Sequence, residues 1–242
     1  GSGKLESSIG FDVRDLAQDI SKKLTFKPQS DKNTIRISLK IKEETLEVSN
    51  VIGQIKGADT TQTILLGAHY DHLGKRGNDI YCGADDNASG VSGVLELAGK
   101  LSANKEKLNM SILFVAFSGE EMGLLGSKEF VKNPPVPLKN IKAMINLDMI
   151  GRLENASKGL NVGGTGTSLE TDTILAIISQ GSQLKIVKSP DGYGPSDHAA
   201  FYSENIPVFF FTTGAHDDYH TPDDDHDKIN YQGEKEVLDF VY

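Results

Sequence analysis

The stretch MSILFVAFSGEEMGLLGS (residues 110–127) decides the fold of this chain, because it joins an apolar strand to the start of a helix. Its first half is a short, continuous apolar run, which is typical of a strand covered on both faces. Similar runs occur at TILLGAHY (63–70), IKAMINLDMIG (141–151) and IPVFFFTT (206–213). Strands that alternate with helices form a mainly parallel sheet. The sequence therefore predicts an α/β fold, a three-layer α/β/α sandwich around a mixed, mainly parallel central sheet.

The remaining patterns surround these strands. Alternating residues at TIRISLKI (34–41) and LEVSNVIGQIKG (46–57) indicate a half-solvated hairpin, so antiparallel strands are expected at the sheet edge. LKIVK (184–188) is short and extended. Helices are predicted at 12–26, 87–103, 123–132, 170–182 and 196–205, and in the last ten residues.

The composition argues against several classes of protein. The chain has 242 residues and a formal net charge of −9, with no long run of Lys or Arg, which argues against binding to nucleic acid or to an anionic membrane. No apolar run reaches the roughly 18–20 residues of a membrane span. The single cysteine, Cys82, excludes an intrachain disulfide.

Ionisable residues follow each of the four central strands. They are His69, Asp71 and His72, then Glu120 and Glu121, then Asp148, and finally His216, Asp217, Asp218 and His220. Ligands of open α/β sheets bind beyond the carboxyl ends of the strands, so these side chains are expected to meet at one edge.

The motif HYD (69–71) places a histidine and an aspartate two residues apart. Such residues share one face of a strand, so Asp71 can accept the ring N–H of His69 and leave the other nitrogen for a metal. Ordinary loop hydrogen bonds are the alternative, and the motif alone leaves it open.

The motif GADDNASG (83–90) places two acids before a helix. Asp and Asn are favoured as helix N-caps, and for this motif alone that interpretation is sufficient. A position near a histidine indicates instead that one acid braces the turn while the other binds a metal.

The adjacent carboxylates of Glu120 and Glu121 need different partners, because like charges repel. If Glu121 binds a dication, Glu120 can take a proton from a water acidified by that cation and deliver it to a leaving amine. An exposed turn is the alternative, which fits poorly with such apolar flanks.

Histidine and carboxylate ligands favour zinc or a similar dication. One zinc needs only about three protein ligands and a water. Five candidates in separate segments fit two metals sharing a carboxylate better than one metal. They are His69, one acid of GADDNASG, Glu121, Asp148 and a histidine of the loop after the last strand.

Five motifs in order carry a resemblance to a known family. GAHYDHLG, GADDNASG, FSGEEMGLLGS, INLDMIG and DDYHTPDD together resemble the co-catalytic dizinc aminopeptidases of peptidase clan MH. This group contains bacterial leucyl aminopeptidase, aminopeptidase S and aminopeptidase Y. The resemblance covers roughly residues 46–242.

The resemblance implies a role for each matching residue. His69 and Asp148 would hold one zinc, Glu121 and His220 the other, Asp86 would bridge them, Glu120 would be the general base, and Asp71 would orient His69. Two Zn²⁺ ions are the implied cofactors, with Co²⁺ or Mn²⁺ as substitutes. The family often has a cis peptide after the bridging aspartate, here Asp86–Asn87.

Other residues receive less definite roles. Tyr219 and Tyr193 match positions at which relatives present a tyrosine to the tetrahedral intermediate. Asp197 and His198 of SDHAAF are expected to brace the site. No family role matches the remaining surface or loop histidines, His72, His216 and His226, and the outer acids of DDYHTPDDDHDK are expected in a solvated loop.

The resemblance also implies a metal-dependent exopeptidase that hydrolyses N-terminal residues from peptide substrates. It further implies a monomer or weak oligomer and a periplasmic or secreted bacterial location. Residues 1–242 are expected to form a single zinc-peptidase catalytic domain, with residues 1–10 as a vector-derived scar or linker. A natural insert or N-terminal segment is expected to be missing.

Alternative functions stay open. On the same scaffold, a glutaminyl cyclase would hold one zinc, and a carboxypeptidase would need a cation for the substrate carboxylate, for which Arg152 is the candidate. A non-catalytic binding domain would be expected to lose metal ligands, and this chain retains them. A nucleotide binder would need a glycine-rich phosphate fingerprint, and GGTGTS (163–168) is interpreted as a loop.

Overall fold

A seven-stranded sheet lies at the centre of the computed structural model, which describes residues 45–153 and 159–242. The strands of this sheet are β1 (Val51–Ile55), β2 (Asp59–His69), β5 (Met110–Phe117), β6 (Ile141–Leu147), β7 (Leu160–Gly163), β8 (Ile186–Lys188) and β9 (Val208–Thr212). A separate hairpin consists of β3 (Gly74–Arg76) and β4 (Asp79–Tyr81). The helices are α1 (Gly90–Ala103), α2 (Leu125–Lys132), α3 (Thr171–Ile178), α4 (His198–Tyr202) and α5 (Tyr231–Val241).

The order of strands in the sheet is β1-β5-β2-β6-β9-β7-β8. The four central strands, β5, β2, β6 and β9, are parallel to one another. Strand β1 pairs antiparallel with β5 at one edge, and β7 pairs antiparallel with β9 toward the other. The predicted mixed, mainly parallel sheet is therefore confirmed.

Two apolar cores cover the two faces of the sheet. Strand residues alternate between the faces, so neighbours in one strand enter different cores. The strands contribute Leu66, Phe114, Leu147 and Phe211 to the first core and Leu65, Leu113, Met144 and Val208 to the second. Helices α1, α3 and α5 close the first core, and α2 and α4 close the second. This arrangement is the predicted three-layer sandwich.

Some element bounds differ from prediction. The strand expected over 141–151 ends at Leu147, because Met149 has a left-handed backbone, with φ 57°, that turns the chain. The helix expected from residue 123 begins at Leu125.

Other predictions reach beyond the described part of the chain. The predicted segments 12–26 and 34–41 lie outside it, and the single domain over 1–242 stays a prediction. Within residues 45–153 and 159–242, none of the helices has the length and apolar character that crossing a membrane requires.

A tight turn at Ala84–Ser89 connects the loop after β4 to helix α1. The Asp86–Asn87 peptide bond in this turn is cis, as the resemblance led us to expect. The Asn87 side chain then holds the end of β6, since its Nδ2 donates to Leu147 O at 2.9 Å and its Oδ1 accepts from Met149 N at 3.2 Å. Asp148 lies between those two residues, so Asn87 fixes the backbone on both sides of it.

The first residue of α1 must be glycine for steric reasons. A Cβ on Gly90 would lie 2.4 Å from both Asn87 Oδ1 and Leu147 O. A Cβ on Gly99, in the same helix, would have no atom within 4 Å. The two positions therefore form a matched pair.

We expect Gly90→Ala to lower the free energy of unfolding by about 1–3 kcal/mol, since the added methyl overpacks a rigid junction. Gly99→Ala is expected to raise it by about 0.4–1 kcal/mol, through helix propensity and reduced unfolded-state entropy. Urea unfolding followed by circular dichroism measures both. Equal effects of the two substitutions would contradict the close approach at Gly90.

Candidate active site

The structure brings the predicted ligand residues together at the carboxyl end of the central strands. His69 is the last residue of β2, Asp148 follows β6 directly, and Glu120 and Glu121 follow β5. Asp86 comes from the turn before α1, and His220 comes from the loop after β9. Five separate segments thus deliver charged side chains to one place.

The first cluster consists of His69, Asp86 and Asp148, all of which are buried. His69 Nε2 lies 3.2 Å from Asp86 Oδ1 and 3.6 Å from Asp148 Oδ1. The other oxygen of Asp148 accepts a 2.6 Å hydrogen bond from Ser196 Oγ, which in turn accepts from Asn146 Nδ2 at 2.7 Å. This chain of hydrogen bonds sets the orientation of the Asp148 carboxylate.

The second cluster shares Asp86 with the first. His220 Nε2 lies 3.1 Å from Asp86 Oδ2 and 3.2 Å from Glu121 Oε2. His72 Nδ1 lies 2.9 Å from Glu121 Oε1. Because one oxygen of Asp86 faces each cluster, Asp86 has the position that a bridging ligand requires.

The donor atoms of both clusters fit a dication such as zinc. His69 Nδ1 donates to the main-chain oxygen of Asp71 at 3.0 Å, so Nε2, which faces two carboxylate oxygens, is the nitrogen that could bind a metal in place of its proton. Asp86 Oδ2, Glu121 Oε1 and both His72 ring nitrogens are buried without a hydrogen bond. Ligand bonds of about 2.0–2.1 Å in a tetrahedral zinc site place ligand atoms roughly 3.3 Å apart, close to the separations found here.

The electrostatics of the site favour positive charge. Burial lowers the pKa of His69, but hydrogen bonds to Asp148 and Asp86 outweigh it and raise the pKa to about 12. Burial raises the pKa of Glu120 to about 8; His69 opposes this shift, and the charge of Asp148 adds to it. Crowded carboxylates that hold protons so tightly would also attract a metal cation.

Asp71 makes different contacts from those predicted. Its carboxylate is 3.8 Å from His69 Nδ1, beyond hydrogen-bonding distance, and its main-chain oxygen takes the ring N–H instead. The carboxylate accepts from the main-chain N–H groups of Glu120, at 3.0 Å, and Glu121, at 3.2 Å. The predicted atom is therefore wrong: Asp71 orients His69 through its backbone, and its side chain holds the Glu120–Glu121 turn.

A cavity of about 310 Å³ opens onto both clusters. Glu120 lines it beside Asp148 and Asp86. Its apolar walls include Met149, Phe210 and Ala215.

The two candidate tyrosines differ in position. Tyr219 lines the cavity and stacks on His220 with ring centroids 3.9 Å apart. Burial raises its pKa to about 12, with repulsion from Asp86 adding to the shift, so the phenol stays a hydrogen-bond donor. Tyr193 is 61% exposed, packs on Tyr202, and is not among the described residues that line the cavity.

Asp197 and His198 are both buried. The His198 ring stacks on Phe210, a wall of the cavity, at 4.4 Å, and burial lowers its pKa to about 4. Burial also raises the pKa of Asp197 to about 7. For His198, the contact with Phe210 supports the expected bracing role.

Sequence reasoning missed several residues that contact the site. His72 lies against Glu121, and His216 Nε2 lies 3.1 Å from Asp85 Oδ2, whereas His226 is exposed as expected. Asp85 also accepts from Gly151 N at 2.7 Å, so it is the acid of GADD that braces the turn. The position of His72, only three residues after His69, could have indicated from the sequence that it lies near the site.

The acid-rich loop was only partly interpreted correctly. Asp223 is exposed, but Asp224 is completely buried, so the expectation of a solvated loop is wrong at Asp224. Arg152 donates to both Asp218 and Asp224 at 3.2 Å.

Comparison with protein families gives one decisive match. The model of peptidase family M28 matches residues 50–242. The chain belongs to peptidase family M28. The match covers all of the candidate site.

Curated relatives of this M28 chain carry aminopeptidase names. Leucine aminopeptidase 2 of Trichophyton rubrum is 31% identical over 211 residues, which are 83% of this chain and 40% of that protein. Leucine aminopeptidase 2 of Trichophyton equinum is 30% identical over 209 residues, with the same coverage. The chain therefore spans about two fifths of the length of these relatives.

Solved structures share the M28 fold. A zinc aminopeptidase from Bacillus subtilis superposes with a TM-score of 0.67 at 28% identity, covering 79% of this chain and 48% of that one. An aminopeptidase from Aneurinibacillus sp. strain AM-1 gives 0.65 at 30% identity, covering 79% and 46%. These similarities confirm the predicted fold class.

We expect His72→Ala to weaken zinc binding by about 10- to 100-fold, because the imidazole lies against the Glu121 carboxylate. His226→Ala is the control, since that side chain is 81% exposed and pairs with Asp225. Competition with a chromogenic chelator measures the affinities. Wild-type affinity in His72→Ala would show that His72 has no part in the centre.

Proposed function

We propose that this M28 chain is the catalytic part of a zinc aminopeptidase that removes N-terminal residues from peptides through a dinuclear zinc site. The observation that carries the proposal is the pair of histidine–carboxylate clusters joined by Asp86. The names of the relatives and of the similar structures support this reaction and this metal.

Each metal would have its own set of ligands. His69 and Asp148 would hold one zinc, Glu121 and His220 the other, and Asp86 would bridge them. His72 would brace Glu121 or join the second set. Co²⁺ or Mn²⁺ would substitute for zinc, since the donors are imidazole and carboxylate groups. When bound, zinc supplies Lewis acidity that acidifies water and polarises a carbonyl group.

Glu120 would act as the general base. Its carboxylate lines the cavity without belonging to either cluster. Bound dications would lower its raised pKa, so that it could accept a proton from water and pass it to the leaving amine. The Asp71 carboxylate accepts a hydrogen bond from the main-chain N–H of Glu120, and this bond keeps the Glu120 carboxylate over the site.

Other residues would position the peptide. The free α-amino group of the peptide would be received at the metal centre or by a carboxylate beside it. Tyr219, a neutral donor beside His220, would donate a hydrogen bond to the carbonyl oxygen as charge develops there. The cavity beside Met149 and Phe210 would take the apolar part of the first residue.

The alternatives are less well supported. A carboxypeptidase needs a free cation for the substrate carboxylate, but Arg152 is committed to Asp218 and Asp224. A glutaminyl cyclase would need one zinc, whereas the donors form two clusters. A non-catalytic domain would have no reason to keep Glu120 in the cavity.

We expect Glu120→Gln to keep normal zinc content and to lose about 10²- to 10⁴-fold in kcat, because the amide cannot accept the proton from water. Atomic absorption and hydrolysis of leucine p-nitroanilide measure the two quantities. Glu129→Gln, on the exposed face of α2, is the control and is expected to behave like wild type. Undiminished turnover in Glu120→Gln would refute the assignment of the base.

Specificity for a free N-terminus is tested separately. Peptides with a free α-amine are expected to lose their first residue, and N-acetylated copies of the same peptides are expected to stay intact, because acetylation removes the basic amine that the centre would receive. Mass spectrometry of the products measures both. Equal cleavage of the blocked peptides would contradict the aminopeptidase assignment.

A further inference from the structure

Asp224 supports the turn that carries the bridging candidate Asp86. It is completely buried, and it lies four residues after His220 in the loop that follows β9. Three successive N–H groups donate to it. Ala84 N donates to its main-chain oxygen at 3.1 Å, Asp85 N to its carboxylate at 3.0 Å, and Asp86 N to Oδ2 at 3.0 Å.

The need for such a partner follows from helix geometry. The first N–H groups of a helical turn have no acceptor within the turn, and they are usually satisfied by the side chain of the N-cap residue. Here the N-cap residue of the turn is Gly83, which has no side chain. A carboxylate from a distant segment takes its place, and its negative charge also suits the positive end of the turn.

Arg152 fixes Asp224 in turn. Its guanidinium donates to Asp224 Oδ1 at 3.2 Å and to Asp218 Oδ2 at 3.2 Å. Arg152 lies four residues after Asp148. The Arg152–Asp224 pair therefore links the segments that carry Asp148, Asp86 and His220.

We propose that Asp224 is a positioning residue that sets the separation of Asp86 from His220, and with it the affinity for the cation on the Glu121 side of the centre. This inference rests on the proposed metal centre. Asp86 Oδ2 and His220 Nε2 are 3.1 Å apart, and Asp224 is bonded to the backbone of the first and lies in the loop of the second. Loss of Asp224 displaces two ligands of the Glu121-side cation but only Asp86 on the His69 side.

The test is a titration of the metal-free protein with Co²⁺. Calorimetry and the visible absorption spectrum both monitor the binding. Wild type is expected to bind in two resolved steps. In Asp224→Asn, which keeps the shape but loses the charge and one acceptor, we expect one step to weaken about 10- to 100-fold while the other changes much less. The spectrum of the weakened step is expected to change as well.

Asp223→Asn is the matched control. It makes the same charge change one residue away, in the same loop, on an exposed side chain. Its affinities for Co²⁺ in the two binding steps are expected to equal those of wild type. Equal behaviour of the two variants, or equal weakening of both steps in Asp224→Asn, would overturn the proposal.

If Asp224→Asn does not fold, a second variant tests the same proposal. Arg152→Lys keeps the charge but loses the forked contact to Asp218 and Asp224, so the same step is expected to weaken by a smaller factor. Wild-type Co²⁺ affinities in both steps of Arg152→Lys would count against the proposal. Amide exchange by NMR adds a readout without metal, since the Asp85 and Asp86 N–H groups are expected to exchange faster in Asp224→Asn.

The outcomes separate this inference from the proposed function. Two Co²⁺-binding steps of which only one weakens in Asp224→Asn, in a protein that cleaves no peptide, would support the inference and refute the proposed function. Peptide cleavage with no difference between Asp224→Asn and wild type in the titration would do the reverse. A wild-type protein that binds no Co²⁺ would refute both.

Discussion

Repulsion among four carboxylates is the constraint on which the rest of this structure depends. Asp86, Glu120, Glu121 and Asp148 meet at one edge of the sheet, where Asp86 and Asp148 are buried and the two glutamates half-buried. The cost of burying them is reduced only if positive charge is held between them. The high pKa of His69 shows that the site favours positive charge, and so do the buried atoms of Asp86, Glu121 and His72 that make no hydrogen bond. Two dications would satisfy it, and the shared position of Asp86 indicates where they would lie.

Hydrogen bonds between polar side chains and the main chain hold this arrangement in place. Asp71 binds the N–H groups of the Glu120–Glu121 turn, Asn87 brackets the backbone around Asp148, and Asp224 accepts from the turn of Asp86. Loops alone would spread repelling carboxylates apart. Bonds that fix their peptide groups allow the side chains to converge before any cation binds, which reduces the cost of ordering the site.

The sequence predicted the sheet and the converging residues because both depend on short-range patterns. Continuous apolar runs mark the central strands, and parallel strands bring their carboxyl ends to the same edge. Asp71 was misjudged because β2 ends at His69, so the alternation of a strand no longer applies two residues later. Asp224 was missed because its partners are 138 and 139 residues away, and an acid-rich loop gives no sign of which carboxylate turns inward.

Anomalous diffraction from crystals grown with zinc, recorded on both sides of the zinc absorption edge, tests the central claim most directly. We predict two anomalous peaks on either side of the Asp86 carboxylate, one beside His69 and Asp148 and the other beside Glu121 and His220. A single peak, or peaks that do not involve Asp86, would contradict the account of two cations held by converging strand ends.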